Sequence, residues 1–241
     1  MNIAIIIAGG SGARMNQDIP KQFLSINDKP IIIYTLDCLE HHPRIDAMLC
    51  VCIPGWVHVL WAFAKQHSIH KLRWIVEGGT SAQESIRNGL VALNGIASAN
   101  DTVLLHDGIR PILDDIVLND LLDLANRYSG IATSLPYNEQ IFVTYDGQTS
   151  TESIPREIIR RVATPQAYQF GKLLDIYTRA FAEDRGIQAG TYANTLWVEY
   201  GETLYLSKGS ERNIKLTTVD DLELFKAYLS MKPTEWLKRV N

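Results

Sequence analysis

Short runs of apolar, often β-branched residues alternate along the chain with longer segments in which apolar positions recur every three or four residues. Continuous runs of this kind are typical of strands buried on both faces, and the longer spacing is typical of amphipathic helices. The alternation predicts an α/β fold, a Rossmann-like, mostly parallel sheet with helices on both faces. The predicted strands are 3–7, 48–53, 72–76, 102–105 and 130–134, and the predicted helices are 31–40, 56–67, 82–93 and 115–128.

The alternation breaks at 138–162, where two extended pieces flank a turn at Asp146 and Gly147. Pieces at 140–145 and 149–154 predict a β-hairpin that projects from the sheet as an arm. With no repeat or linker in view, we expect residues 1–241 to form a single domain that carries this arm. Beyond Pro165 the pattern predicts a helix at 168–183, a strand at 203–206 and a helix at 219–229.

A glycine-rich turn follows the first predicted strand, at the edge where parallel sheets bind their ligands. Gly9, Gly10 and Gly12 lack side chains, so backbone N–H groups there can approach a phosphate closely. Arg14 and Lys21 add two cations to the same segment, which suits a triphosphate. The Gly-Lys-Ser/Thr ending of the common phosphate loop is absent, as is the third glycine of the dinucleotide fingerprint. A purely structural tight turn is the alternative interpretation.

Composition narrows the classes of partner. The chain has 23 Lys and Arg against 27 Asp and Glu, a net charge of −4, so no general basic surface indicates a nucleic-acid partner. No apolar run approaches the roughly 18 residues of a membrane span, and we expect none. The first residues lack the basic segment of a signal peptide. Cys38, Cys50 and Cys52 are expected to be free thiols in a reducing cytoplasm.

Six motifs, taken in order, resemble one known family. In this order and spacing they are similar to the cytidylyltransferases that join CTP to a sugar-alcohol phosphate, among them the methylerythritol 4-phosphate and ribitol 5-phosphate enzymes. The resemblance covers about residues 2–230 and implies a nucleotide-diphospho-sugar transferase type of fold. It also implies that CMP is transferred from CTP and that pyrophosphate is released. The motifs are Ala8-Gly-Gly-Ser-Gly-Ala-Arg-Met15, Pro20-Lys-Gln22, Gly78-Gly-Thr-Ser-Ala-Gln-Glu-Ser85, His106-Asp-Gly-Ile-Arg-Pro111, Thr164-Pro-Gln166 and Asn213-Ile-Lys215.

The resemblance implies four catalytic cations. Arg14 and Lys21 would stabilise the negative charge that builds on the triphosphate, a task that needs no proton transfer. The family's arginine eight residues before Thr-Pro-Gln corresponds to Arg156, and the lysine of Asn-Ile-Lys corresponds to Lys215. These two would hold the attacking phosphate against the repulsion of CTP. Ordinary surface cations or salt bridges are the alternative for each of the four.

The resemblance also implies the substrate-binding residues and a divalent cation. Asp107 would lie near the substrate and Mg²⁺, which favours few protein carboxylates together with phosphate oxygens and water. His106 is expected to be a neighbour and not a base, and Arg110 is expected to brace its loop. Ser85 has a helix N-terminal role as its alternative. The implied substrate-binding positions are Ala8, Gly9, Gly10, Ser11, Gly12, Gly78, Gly79, Ser85, Asp107, Gln140, Thr164 and Thr191.

Two departures from the family pattern bear on the acceptor. Glu139-Gln140 stands where the isoprenoid enzymes carry Asp-Thr, and Thr191-Tyr192-Ala193 lacks the family's carboxylate. Both changes concern the polyol and leave the identity of the acceptor open. Other local features, Pro54-Gly-Trp56-Val57 and the segment 208–218, resemble the ribitol 5-phosphate branch more closely, so D-ribitol 5-phosphate is the slightly preferred acceptor and 2-C-methyl-D-erythritol 4-phosphate the alternative. A non-catalytic nucleotide-binding homologue remains a second hypothesis, and a nicotinamide oxidoreductase a third, weaker one. If the arm crosses a two-fold axis, Arg156 would complete a partner's site in a homodimer.

Overall fold

The protein is described here by a computed structural model that covers residues 1–10, 19–188 and 190–231. The strands of this part are β1 (Asn2–Ala8), β2 (Ser25–Ile26), β3 (Lys29–Pro30), β4 (Ala47–Cys52), β5 (Leu72–Glu77), β6 (Thr102–Asp107), β7 (Gly130–Pro136), β8 (Ile141–Val143), β9 (Glu152–Ile154), β10 (Arg160–Gln169) and β11 (Tyr205–Lys208). The helices are α1 (Ile31–His41), α2 (Val57–Gln66), α3 (Ala82–Ala92), α4 (Asp115–Ala125), α5 (Phe170–Glu183), α6 (Ala193–Glu199) and α7 (Val219–Ser230).

Seven strands form one sheet in the order β11-β7-β10-β6-β1-β4-β5. The central strand β1 pairs in parallel with β4 and β6, β5 extends the parallel set beyond β4, and β11 lies parallel to β7. Only β10 in this sheet runs against its neighbours, between β6 and β7. The predicted mostly parallel sheet is confirmed. The carboxyl ends of β1, β5 and β6 consequently meet at one edge, where the functional residues are expected.

The alternation of side chains along β1 explains why helices cover both faces of the sheet. Ala4 and Ile6 are buried in one apolar cluster, which contains residues of α1, α2 and α4. Ile3 and Ile5 are buried in the opposite cluster, which contains residues of α3, α5 and α6. Because β1 is covered on both faces, its residues from Ile3 to Ala8 are all apolar.

The helix predicted at 168–183 is wrong at its start. Residues 160–169 form β10, and α5 begins only at Phe170. Pairing on both sides, with β6 and with β7, holds this segment extended. A register shift between Ala163 and Gln166 accommodates Pro165, which cannot donate to the ladder. The sequence pattern also missed the short helix α6 and the two-residue strands β2 and β3.

The arm is a hairpin, as predicted, although each paired strand is only three residues long. β8 and β9 pair antiparallel, with Ile141 opposite Ile154. Asp146 organises the turn by accepting hydrogen bonds from the backbone N–H groups of Gln148 and Thr149. These bonds, with hydroxyl bonds from Thr149 and Thr144, hold the pKa of the Asp146 carboxyl well below its ordinary value.

A third apolar cluster places the last described helix beside the functional edge. It joins Ile26 and Ile31 to Ile109, Leu216 and Phe225, the last of which belongs to α7. A capping box between Thr218 and Asp221 fixes the start of that helix. Among the described residues, no helix is both long enough and apolar enough to cross a membrane.

Candidate active site

Two glycine turns nearly touch at the carboxyl ends of β1 and β5. A Cβ atom on Gly9 would lie 3.1 Å from Ser85 Oγ and 3.5 Å from Gly78 Cα. A side chain at Gly78 would likewise lie 3.2 Å from Gly9 Cα. Both positions therefore need glycine for close approach. The two turns form part of the wall of a cleft of about 560 Å³, which Lys21, Asp107 and Lys215 also line.

Gln22 holds the first glycine turn in place. Its side chain is buried, and its amide nitrogen donates to the carbonyl oxygens of Ala8, at 2.7 Å, and Gly10, at 3.1 Å. The neighbouring Lys21 begins a short 3₁₀ turn at Lys21–Phe23 and lines the cleft. Because one turn carries both residues, the amide that shapes the glycine segment also fixes the position of the lysine.

The N-terminus of α3 shapes the second glycine turn. Ser81 caps the helix by accepting a hydrogen bond from the backbone N–H of Glu84 at 3.0 Å. The Ser85 hydroxyl donates to the Ser81 carbonyl at 2.9 Å and accepts from the Gly79 N–H at 3.0 Å. Ser85 thus lies in the cleft wall, and its hydroxyl holds the turn around Gly79.

Asp107, at the carboxyl end of β6, is the centre of a charged cluster. Its Oδ1 accepts from Lys215 Nζ at 3.0 Å, and its Oδ2 accepts from Arg110 Nε at 2.9 Å. The Thr164 hydroxyl donates to the same Oδ2 at 3.1 Å. One carboxylate thus neutralises only one of two cations, and the cluster keeps a net positive charge that suits phosphate binding.

The pKa of Asp107 records this surplus of positive charge. Burial by itself raises the pKa of the carboxyl, but the charges and hydrogen bonds of Lys215 and Arg110 outweigh it and lower the pKa to about 2. The adjacent His106 is buried, which lowers its pKa to about 4 and keeps the imidazole neutral. A neutral ring that bonds to the Arg110 carbonyl oxygen at 3.1 Å is consistent with a supporting neighbour.

Lys215 is positioned by the packing of its neighbours along the chain. The N–H of Leu216 donates to the Ile109 carbonyl at 3.0 Å, and the Leu216 side chain is buried against α7. On the other side, Asn213 donates to the Thr164 carbonyl at 2.6 Å and accepts from Arg110 through its own carbonyl at 2.7 Å. Arg110 therefore braces its loop, as predicted, while it also pairs with Asp107.

A second cavity of about 480 Å³ adjoins the first and shares Asp107 and Lys215 with it. Thr164 and Arg110 line it, as do Thr191 and Tyr192 at the start of α6. The cleft with the glycine turns and this second cavity thus meet at Lys215 and Asp107. Two ligands that each carry phosphate can meet there.

The structure brings together most of the predicted site residues that it describes. Arg156 and Gln140 lie elsewhere, in a cavity of about 410 Å³ on the arm. There the Arg156 guanidinium donates to the Asn138 carbonyl at 3.1 Å. Ser11, Gly12 and Arg14 fall outside the described residues. Those that line or adjoin the two cavities are Ala8, Gly9, Gly10, Lys21, Gly78, Gly79, Ser85, Asp107, Thr164, Thr191 and Lys215.

Sequence reasoning gave no role to two buried glutamines of the motifs. Gln22 follows Lys21 directly, and Gln83 lies two residues before Ser85. Both are buried, and the amide nitrogen of each donates two hydrogen bonds. A glutamine next to functional residues indicates a structural role in the site only when its side chain is known to be buried. The sequence alone does not show that burial.

Comparison with known proteins agrees with this arrangement. The family model described as IspD: 2-C-methyl-D-erythritol 4-phosphate cytidylyltransferase matches residues 2–231. The chain is 46% identical over 232 residues to a ribitol-5-phosphate cytidylyltransferase of Lacticaseibacillus paracasei, covering 96% of this chain and 99% of the relative. It is 35% identical over 231 residues to the Vibrio parahaemolyticus enzyme of the same name, covering 95% and 96%.

Solved structures agree as well. A crystal structure of 4-diphosphocytidyl-2C-methyl-D-erythritol synthase superimposes with a TM-score of 0.78 at 26% identity, covering 95% of this chain and 98% of that one. The resemblance drawn from the six motifs is confirmed along almost the whole chain. This chain belongs to the IspD family of cytidylyltransferases.

Proposed function

We propose that this protein transfers CMP from CTP to a polyol phosphate, with D-ribitol 5-phosphate as the acceptor. One observation carries the proposal. A cleft with two glycine turns and a second cavity meet at Lys215 and Asp107, so a triphosphate and a phosphorylated acceptor can be held side by side. The ribitol-5-phosphate cytidylyltransferases among the relatives support this acceptor.

The reaction follows from this arrangement. A phosphate oxygen of the acceptor attacks the α-phosphorus of CTP, the bond from that phosphorus to the β-phosphate oxygen breaks, and pyrophosphate leaves with the electron pair. The acceptor phosphate is ionised at neutral pH, so no base is needed. Lys21 and Lys215 supply positive charge where repulsion between the two phosphates is greatest, which is mainly electrostatic catalysis.

Mg²⁺ fits this site as a cofactor. Among the described residues that line the cleft, Asp107 is the only carboxylate. Mg²⁺ takes one or two protein carboxylates and keeps phosphate oxygens and water as its other ligands. Asp107 would therefore hold the ion together with CTP, and the ion would neutralise charge on the triphosphate.

The acceptor cavity supports a choice of polyol. Tyr192 stands where the family pattern has a carboxylate, and about two thirds of its surface is exposed beside Thr191. A phenol offers one hydroxyl and an apolar ring, so it recognises a polyol differently from a carboxylate. The alternative acceptor is 2-C-methyl-D-erythritol 4-phosphate, which the family description names.

A homodimer would bring Arg156 to the reaction. Its cavity on the arm is separate from both cavities around Lys215 within one chain. The arm also exposes large apolar side chains, with Phe142 58% and Ile158 74% exposed. Apolar exposure of this kind marks interaction surfaces. The arm would pair with a second copy and place its arginine beside the partner's acceptor phosphate.

Pyrophosphate release tests the activity. The purified protein is incubated with CTP, Mg²⁺ and a panel of polyol phosphates, and pyrophosphate is measured with a coupled enzyme. We expect release with D-ribitol 5-phosphate, loss of that release in Lys215→Ala, and normal release in Lys172→Ala, which removes an exposed ion pair with Glu202. CTP binding by calorimetry without turnover across the panel would identify a non-catalytic homologue instead.

Mixing two inactive variants tests the homodimer. Lys215→Ala and Arg156→Ala damage different halves of a shared site, so a mixed dimer keeps one intact site. We expect co-expression of the two to restore about a quarter of wild-type activity, as random pairing gives. A fully active monomer by light scattering, or no recovery in the mixture, contradicts the proposal.

A further inference from the structure

A buried glutamine joins the nucleotide helix to the acceptor wall. Gln83 lies in the first turn of α3, and its side chain is only 2% exposed. Its Oε1 accepts from the Tyr177 hydroxyl at 2.6 Å. Its Nε2 donates to Thr191 Oγ1 at 3.2 Å and to the Gly186 carbonyl at 3.4 Å. One amide thus contacts α5 and two points of the segment that follows α5.

One end of this network, at Tyr177, is buried in the core. Tyr177 is fully buried in the apolar cluster shared by α3, α5 and α6. Burial raises the pKa of its phenol, so the hydroxyl stays protonated and donates. The Gly186 carbonyl can only accept a hydrogen bond, so the amide nitrogen of Gln83 faces it and Thr191, and Oε1 faces the Tyr177 hydroxyl that donates to it. These partners together fix the orientation of the amide.

The other end of the network is the loop between α5 and α6. Asp184, Gly186 and Gly190 have positive φ angles of 51°, 68° and 93°, and the described residues between the two helices are in neither helix nor strand. The loop ends at Thr191 and Tyr192, which line the acceptor cavity together with Lys215. The Thr191 hydroxyl in turn donates a hydrogen bond to the Gln188 carbonyl at 2.7 Å.

We propose that Gln83 is a positioning residue that fixes the acceptor-binding loop against the core. This inference deepens the proposed function and rests on it for the identity of the acceptor. A loop that is ordered before binding loses less entropy when the ligand arrives, so the tether favours acceptor affinity. Buried polar networks lose their ordering effect when one member goes unpaired. The CTP cleft is built by Ser85 and the glycine turns, and it does not include Gln83.

Kinetics of Gln83→Met test the tether, because methionine has a similar shape and makes no amide hydrogen bonds. We expect KM for D-ribitol 5-phosphate to rise at least tenfold, while KM for CTP stays within twofold. Gln66→Met is the matched control, since this exposed glutamine at the end of α2 lines neither cavity. It should leave both KM values unchanged.

Limited proteolysis tests the same tether without any catalytic activity. Trypsin cleaves after Arg185, directly before the tethered Gly186, and mass spectrometry identifies that cut. We expect Gln83→Met to be cut there at least tenfold faster than the wild type and Gln66→Met. Tyr177→Phe keeps the amide but removes its anchor, so it should change cleavage and acceptor KM in the same direction by a smaller factor.

The outcomes separate the two proposals. Faster cleavage in a protein that transfers no CMP supports the tether and rejects the proposed function. Unchanged cleavage in both Gln83→Met and Tyr177→Phe overturns the tether, whatever the activity. Equal rises in KM for CTP and for the acceptor overturn it as well, because a general loss of structure does not distinguish the two substrates.

Discussion

Replacing Asp107 with asparagine should make the protein less sensitive to acid. The wild-type carboxyl has a pKa of about 2 in the folded state, against 3.8 for an ordinary aspartate. Its side chain is only 19% exposed, so solvent screens the interaction weakly. A carboxyl with a lowered folded pKa stabilises the protein above its unfolded pKa, and that stabilisation is lost as pH falls toward the folded value.

The size of the effect follows from the two pKa values. A difference of somewhat less than two pKa units corresponds to about 2 to 3 kcal/mol of stabilisation at neutral pH. Integration over pH gives a loss of about 1 kcal/mol by pH 3 and about 2 kcal/mol by pH 2. Asp107→Asn cannot lose this contribution on acidification, since its amide does not titrate in the range.

Denaturant unfolding at pH 7 and pH 3 measures the difference. The wild type should lose about 1 kcal/mol more than Asp107→Asn between the two pH values. Glu84, Asp101, Asp146 and Asp221 also have lowered pKa values, but they contribute equally to both proteins and cancel. Asp123→Asn removes an exposed ion pair with Arg44 and serves as the control.

An equal loss in wild type and Asp107→Asn would refute the electrostatic account of the cluster. It would mean that Lys215 and Arg110 do not lower the pKa of the Asp107 carboxyl below its value in the unfolded protein. The net positive charge assigned to this part of the site would then have no support.

Three further predictions concern individual side chains. Lys215→Ala should lower kcat/KM by about 10²- to 10³-fold in the pyrophosphate-release assay, because it removes a cation from the place where both phosphates meet. A loss below threefold would contradict the placement of Lys215 between the two phosphates. Gln22→Met should weaken CTP binding in calorimetry and lower the unfolding free energy by about 1–2 kcal/mol, because the Ala8 and Gly10 carbonyls lose their buried donor. Unchanged CTP affinity would show that Gln22 does not shape the glycine turn for CTP. Tyr192→Ala should raise KM for the polyol phosphate severalfold and leave KM for CTP unchanged, since the side chain lines only the acceptor cavity; the reverse pattern contradicts the assignment of the two cavities.

The parallel part of the fold could be predicted because each strand is covered on both faces. The run from Ile3 to Ile7 has no polar position, and such a pattern has few structural solutions. The glycine turn and Asp107 follow from where parallel strands end. These inferences use only neighbours in sequence, which is why they succeeded.

The remaining features depend on contacts between distant residues. β10 is extended because it is paired on both sides, and nothing local distinguishes its end from the start of α5. The bond between Asp107 and Lys215 joins residues 108 positions apart. The tether at Gln83 likewise joins α3 to residues 94 and 108 positions later. No local pattern in a single sequence indicates contacts between residues so far apart.

The support of Lys215 by α7 has a consequence for biosynthesis. A growing polypeptide that has emerged as far as β6 already contains Gly9, Gly78 and Asp107. The lysine gains its place only when Leu216 packs against Phe225, which is synthesised 118 residues after Asp107. A ribosome-bound fragment that stops before α7 would present phosphate-binding turns without the residue that brings the two substrates together.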